Sequence, residues 1–77
     1  MDFSEKERPQ ILQLILGMAI DCYGYMPGGS KNRATGNKKG SIRLALQNVG
    51  LDVDEDTIRK YLNEACEMFP DAKPHKY

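Results

Sequence analysis

The chain has little of what builds metal centres or disulfide frameworks. Its 77 residues include two cysteines and one histidine. Cys22 and Cys66 are far apart in the sequence, each stands among apolar residues, and no CxxC pair or zinc-binding constellation is present. We therefore expect no metal and no cofactor, and we expect both thiols to be reduced and in the core of a cytoplasmic protein.

Long hydrophobic runs are also missing. The apolar stretch at residues 11–20 has about half the length that spans a bilayer, so it indicates a buried helix and no membrane partner. Residues 1–8 are charged and partly acidic, unlike a secretory leader. Both observations favour a cytoplasmic protein.

Catalytic patterns are absent too. The serines have no nearby histidine, because the one histidine, His75, lies in the tail. The carboxylates around position 54 lack EF-hand spacing, and the Gly-rich stretch at 28–40 does not match a P-loop. We expect no enzyme activity and no small-molecule substrate.

Net charge is zero, but the charges are unevenly distributed. Between Cys22 and Leu51 there is no acidic residue and there are five basic ones, namely Lys31, Arg33, Lys38, Lys39 and Arg43. Such asymmetry is typical of a surface that faces a polyanion, although a solvated basic loop gives the same pattern.

The hydrophobic spacing predicts one all-α domain over residues 1–77, a three-helix bundle of helix-turn-helix type. The predicted helices cover about 8–24, 41–49 and 54–69. A long basic Gly-rich loop joins the first two helices at 25–40, and a frayed tail follows at 70–77.

The first predicted helix is apolar on most sides, which suits either a helix central to the fold or one that also packs against a second copy. Gly17 in its middle suggests a close contact with another helix. Gly24 ends it.

The next two helices each have one apolar stripe and a capping residue. Ser41 and Asp54 are the predicted N-caps, with Asp52 and Glu55 as an alternative capping box for the third helix. The stripes predicted to be buried are Ile42, Ala45, Leu46 and Val49, then Ile58, Leu62 and Ala65.

Between the first two helices, the segment at 28–40 contains four glycines and four basic residues. One interpretation is an arm that grips phosphate with backbone amides and cations; the other is a flexible solvated loop. Ser30 could cap a single helical turn through Ala34 that stops at Gly36.

Residues 41–65, with the pattern Gly50-x-x-Val53-x-x-x-Thr57-Ile58-x-x-x-Leu62, resemble the helix-turn-helix of the arginine-repressor DNA-binding domain. The resemblance implies that the third helix is a recognition helix. The chain lacks the two-stranded wing of that family, and its third helix begins with three carboxylates. The segments Tyr-Gly-Tyr, Lys-Gly-Ser-Ile and Thr-Ile-Arg-Lys-Tyr-Leu also look similar to small bacterial proteins that have no assigned activity.

Two functional hypotheses follow. The first is a small DNA-binding protein, either a transcriptional regulator or an accessory factor of a mobile element. Phosphate contacts would come from Lys31, Arg33, Lys38, Lys39 and Arg43, and groove contacts from Arg59, Lys60 and Asn63.

The second hypothesis is a protein-interaction module, most simply a homodimer, with no nucleic-acid binding. Its interface anchors would be Tyr23, Tyr25 and Met26, because aromatic residues and methionine are enriched in such patches. Tyr25 stands beside Pro27 and Gly28, which makes it harder to bury than Tyr23.

Overall fold

The computed structural model describes residues 6–29 and 32–74. Within these ranges the protein is all-helical and has no strand, as the sequence predicts. The elements are α1 (Glu7–Tyr23), a 3₁₀ helix (Arg33–Thr35), α2 (Ile42–Asn48) and α3 (Glu55–Met68). Each end of an α-helix differs from its predicted bound by one residue.

The core lies mainly between α1 and α3, which share the most extensive contact between elements. Stripes on the two helices face each other at the spacing of one helical face. The buried apolar side chains are Leu12, Leu16 and Ala19 of α1, Ile58, Leu62 and Ala65 of α3, and Tyr25 and Ala34 between the helices.

The ends of α2 are defined by local hydrogen bonds. The Ser41 hydroxyl accepts the Leu44 N–H at 3.2 Å, which is the predicted N-cap. At the other end Gly50 has a φ of +85°, and Leu51 N–H donates to the Leu46 carbonyl at 2.9 Å. This left-handed turn stops the helix and directs the chain toward α3.

Asp54 caps α3, again as predicted. Its carboxylate accepts the Thr57 N–H at 3.1 Å and the Thr57 hydroxyl at 2.6 Å. The hydrogen bonds from Thr57 hold the pKa of Asp54 below its ordinary value. The alternative capping box does not form, because Glu55 and Asp52 both lie against Arg43 instead.

One predicted buried position, Val49, is wrong, and three others on α2 are buried only in part. Val49 is 72 % exposed, because α2 ends at Asn48 and no other element covers the residue beyond it. Residues Ile42, Ala45 and Leu46 are only partly buried, so α2 is the least buried of the three α-helices.

The outer face of α1 also differs from expectation. Leu14 and Met18 are more than half exposed, so α1 is not buried on all sides. A methyl group built on Gly17 would meet nothing within 4 Å, so the predicted close helix contact at Gly17 is wrong. Cys22 is exposed on the same helix and Cys66 is partly buried, and both thiols are free.

The segment after α3 turns back toward α1. Ala72 N–H donates to the Phe69 carbonyl at 3.2 Å, and both side chains pack against the core. Within the described part of the tail, residues 70–74, Ala72 is thus in contact with the core, whereas Pro70, Asp71 and Lys73 are exposed. His75 lies outside the described residues.

Candidate functional site

A cleft of about 530 Å³ lies between α3 on one side and Gly29 with residues 32–38 on the other. Three of its lining residues carry positive charge, namely Arg33, Lys38 and Arg59. Amide side chains complete the polar lining, those of Asn32, Asn37 and Asn63. No carboxylate is among the described residues that line it. We call this surface the cationic cleft.

One wall of the cationic cleft is organised by Asn32. Its side-chain oxygen accepts the Met26 N–H at 2.7 Å, and its amide donates to the Met26 and Gly29 carbonyls at 3.2 Å each. The Thr35 hydroxyl then donates to the Asn32 carbonyl at 3.2 Å. These bonds satisfy backbone groups that a helix or strand would otherwise pair.

The 3₁₀ helix anchors this wall to the core. Ala34 is fully buried and Thr35 nearly so, and the helix contacts α1, α2 and α3. The 3₁₀ helix is therefore packed at Ala34 and Thr35, whereas Arg33 and residues 37–40 are exposed. The predicted turn through Ala34 is present and ends at Gly36, although its N-cap is Asn32. The predicted cap, Ser30, lies outside the described residues.

The aliphatic part of the Arg33 side chain lies close to Gly40. Gly40 has a φ of +91°, and a methyl group on it would lie 2.5 Å from Cδ of Arg33. Only glycine accepts both the backbone conformation and the close approach. Arg33 is exposed as a residue, and Arg33 and Lys38 have no ion-pair partner among the described residues.

The opposite wall is α3, where Arg59 and Asn63 lie one turn apart on the same face. The Arg59 guanidinium donates to Asp56 at 2.9 Å and lies 3.9 Å from Glu55. Pairs between exposed side chains stabilise a protein by less than about 1 kcal/mol. Arg59 can therefore exchange Asp56 for another anion at small cost.

The remaining predicted nucleic-acid contacts lie elsewhere. Arg43 pairs with Glu55 at 3.1 Å and lies 4.0 Å from Asp52. Lys60 Nζ lies 5.9 Å from the centroid of the Tyr61 ring. Lys39 is exposed outside the cationic cleft, and Lys31 lies outside the described residues. The structure brings together Arg33, Lys38, Arg59 and Asn63 of the eight predicted residues.

Tyr25 forms part of the floor of the cationic cleft. Its side chain is only 4 % exposed, and its hydroxyl lies 3.7 Å from Sγ of Cys66. Burial, with the contact to Cys66, raises the pKa of Tyr25 to about 12. The expectation that Tyr25 is harder to bury than Tyr23 is wrong, because Tyr25 packs into the core cluster with its hydroxyl beside Cys66, whereas Tyr23 is only partly buried.

A second, apolar groove of about 390 Å³ lies where α1, α2 and α3 meet. Ile15, Met18 and Tyr23 line it from α1, with Ile42 and Leu46 of α2 and Tyr61 of α3. We call this surface the apolar groove. Of the predicted interface residues, Tyr23 lies in it, whereas Met26 is exposed near Asn32 and apart from it.

Sequence reasoning missed Asn32 and Gly40, which build the cationic cleft. Asparagine commonly bonds to nearby backbone groups in turns, and glycine commonly supplies a positive φ. These residue types can be read from the sequence. The sequence does not show that Asn32 bonds the Met26 and Gly29 carbonyls, or that Gly40 lies against the Arg33 side chain.

No family model, curated protein or solved structure matches the chain. The resemblance to the arginine repressor thus depends on residues 41–65 alone. Within residues 6–29 and 32–74, no helix has the length and apolar character to cross a membrane. In that same part of the chain, histidine, cysteine and carboxylate side chains form no group that could hold a metal ion.

Proposed function

We propose that this protein binds DNA through the cationic cleft, as a transcriptional regulator or an accessory factor of a mobile element. The observation that carries the proposal is the convergence of Arg33, Lys38 and Arg59 on one concave surface, where Arg33 and Lys38 have no ion-pair partner among the described residues and Arg59 has an exposed one, Asp56. Cations grouped in this way bind phosphate groups, which supply most of the affinity of proteins for DNA.

The proposal includes a helix-turn-helix unit formed by α2, the turn at Gly50 and α3. Supporting it are the capped start of each helix and the left-handed turn between them. The buried residues Ile58 and Leu62 support it as well, since the second helix of such a unit is fixed by its apolar face. Arg59 and Asn63 are then the side chains that α3 contributes to DNA contacts.

The test is fluorescence anisotropy of labelled mixed-sequence DNA, supplied both as single strands and as duplex, at about 50 and about 200 mM salt. Three phosphate contacts predict an affinity loss of about 20- to 40-fold between these salt concentrations. Lys38→Ala should weaken binding and reduce the salt slope by about 1. Lys73→Ala removes the same charge from the C-terminal segment and serves as the matched control.

Binding that is insensitive to salt, or equally weakened by Lys38→Ala and Lys73→Ala, would contradict the proposal. So would the absence of binding to both forms of DNA at the lower salt concentration.

A second candidate function is self-association through the apolar groove. Met18 lines this groove and is 54 % exposed, and Leu14 lies one turn away on α1 and is 63 % exposed. Exposed apolar side chains beside an apolar depression are typical of protein-protein contact surfaces.

We expect sedimentation velocity to show a concentration-dependent dimer that Met18→Glu abolishes. The control is Gln13→Glu, which adds the same charge to an exposed position of α1. A monomer at every concentration, or a dimer that tolerates Met18→Glu, would remove this candidate.

A further inference from the structure

The three cations of the cationic cleft differ in the carboxylates that they contact. Arg33 and Lys38 have no ion-pair partner among the described residues. Arg59 has one, because its Nη2 atom donates a hydrogen bond to Oδ1 of Asp56 at 2.9 Å. One of the three positive charges on this surface is therefore already paired with a carboxylate of the same chain.

Asp56 is the main carboxylate partner of Arg59. Glu55 is farther away, with its Oε2 atom 3.9 Å from Nη2 of Arg59, and its other oxygen pairs with Arg43 at 3.1 Å. Asp56 stands three residues before Arg59, a spacing that places both side chains on one face of α3. The Asp56 side chain is 91 % exposed and makes no second ion pair with a described residue. It can therefore leave Arg59 for solvent without breaking another salt bridge.

We infer that Asp56 competes with DNA phosphate for Arg59 and thereby lowers the affinity of the cationic cleft for DNA. This inference depends on the proposed DNA binding. A guanidinium binds a phosphate group through paired N–H donors and through its positive charge. A phosphate that reaches Arg59 has to displace Asp56 from Nη2 or share the positive charge with it, and either event reduces the free energy gained on binding.

The size of the effect follows from the exposure of the pair. The strength of ion pairs between exposed side chains corresponds to a change in affinity of about two- to fivefold. We therefore expect Asp56→Asn to tighten DNA binding by this factor. Unfolding cannot produce that result, because a variant that loses the cleft binds more weakly. Circular dichroism checks the fold, since a carboxylate in the first turn also stabilises a helix.

The experiment is fluorescence anisotropy with the form of DNA that the wild-type protein binds more tightly. It uses about 100 mM salt, at which exposed charges more than about 10 Å apart are largely screened. Asp56→Glu keeps the carboxylate and should bind as the wild type does. Asp71→Asn removes one exposed carboxylate from the C-terminal segment, outside the lining of the cationic cleft, and should leave the affinity unchanged.

Arg59→Ala separates competition for Arg59 from direct repulsion between Asp56 and phosphate. In an Arg59→Ala background, Asp56→Asn should no longer change the affinity, because the guanidinium for which Asp56 competes is gone. The inference is overturned by a gain that persists in this background, by an equal gain in Asp56→Glu or Asp71→Asn, or by no gain in Asp56→Asn.

The failure of the inference and that of the proposed function have different signatures. A wild-type affinity that falls with salt and with Lys38→Ala leaves the DNA-binding proposal standing, whatever Asp56→Asn does. If the wild type and Asp56→Asn both fail to bind DNA, the proposal and the inference fail together.

Discussion

The Tyr25 hydroxyl is a polar group in a nearly dry position, with Cys66 Sγ 3.7 Å away. Burial favours the neutral phenol, and this is the main reason why the pKa of Tyr25 rises to about 12. In the unfolded chain the phenol ionises near pH 10. The folded state therefore retains a proton that the unfolded state loses as the pH rises from about 10 to about 12.

The pKa of Tyr25 is raised only in the folded state. The stability that the neutral, buried phenol contributes is therefore fully present below pH 10 and is lost as the pH approaches 12. We expect Tyr25→Phe to show a smaller loss of stability over this alkaline range than the wild-type protein. Thermal unfolding followed by circular dichroism between about pH 9 and pH 12 measures it. Tyr61→Phe, at a more exposed tyrosine, is the control; equal curves for Tyr25→Phe and wild type would contradict the assignment.

At the scale of single elements, nothing in the structure of α1 requires glycine at position 17. Gly17 is helical, exposed and without neighbours within 4 Å of a built methyl group. Glycine in a helix interior is less favourable than alanine by about 0.5–1 kcal/mol. Gly17→Ala should therefore raise the free energy of unfolding by about that amount, measured by urea denaturation.

Gly24 provides the matched control for this substitution. It also has open space around a built methyl group, but its φ is +67°. We expect Gly24→Ala to lower the free energy of unfolding by about 1 kcal/mol, since only the backbone conformation differs. If both variants shift stability in the same direction, conformation at these glycines is not what determines the effect.

Helix ends were the part of the fold most accessible from sequence. The signals for Ser41, Asp54 and Gly50 act within three or four residues, so the residue types alone identify them. The stripe of Ile58, Leu62 and Ala65 followed equally from helical spacing. The burial of Tyr25 could not be predicted, because its partner Cys66 comes from a distant part of the chain.

For the candidate site, sequence identified the cations but not their grouping. The charge pattern predicts Arg33, Lys38, Arg59 and Arg43 as contacts on equal terms, yet Arg43 lies outside the cleft. Arg33 and Lys38 reach the cleft because residues 32–38 lie beside α3, an arrangement in which Asn32 is hydrogen-bonded to Met26 and Ala34 is buried. Neither depends on charge pattern, so composition could not show it.

At the scale of the whole molecule, Arg8 near the start of α1 pairs with Glu64 on α3. The pair joins the two helices that form the core. The hydrogen bond from Arg8 holds the pKa of the Glu64 carboxyl below its usual value. Its contribution to stability is thus present above the ordinary glutamate pKa, about 4.3, and is lost as the pH falls through the lowered value.

We expect acid to destabilise the wild-type protein more steeply than Glu64→Gln below about pH 4. The variant is less stable at neutral pH, because it lacks the charged pair, and its stability changes less with acid. Thermal midpoints between about pH 2.5 and pH 7 give the comparison. Glu67→Gln on the exposed side of α3 should follow the wild-type curve, and a Glu64→Gln curve parallel to wild type would be the contrary result.

The burial of Ala34 limits where a peptide can be inserted into the chain. The stretch between α1 and α2 is the longest connection, and long connections are ordinarily the first choice for inserting a tag or opening new termini. Here an insertion next to the 3₁₀ helix would pull Ala34 and Thr35 out of the core. The connection between α2 and α3 is exposed at residues 50–52, so a peptide inserted after Asp52 would leave both the core and the left-handed turn at Gly50 in place.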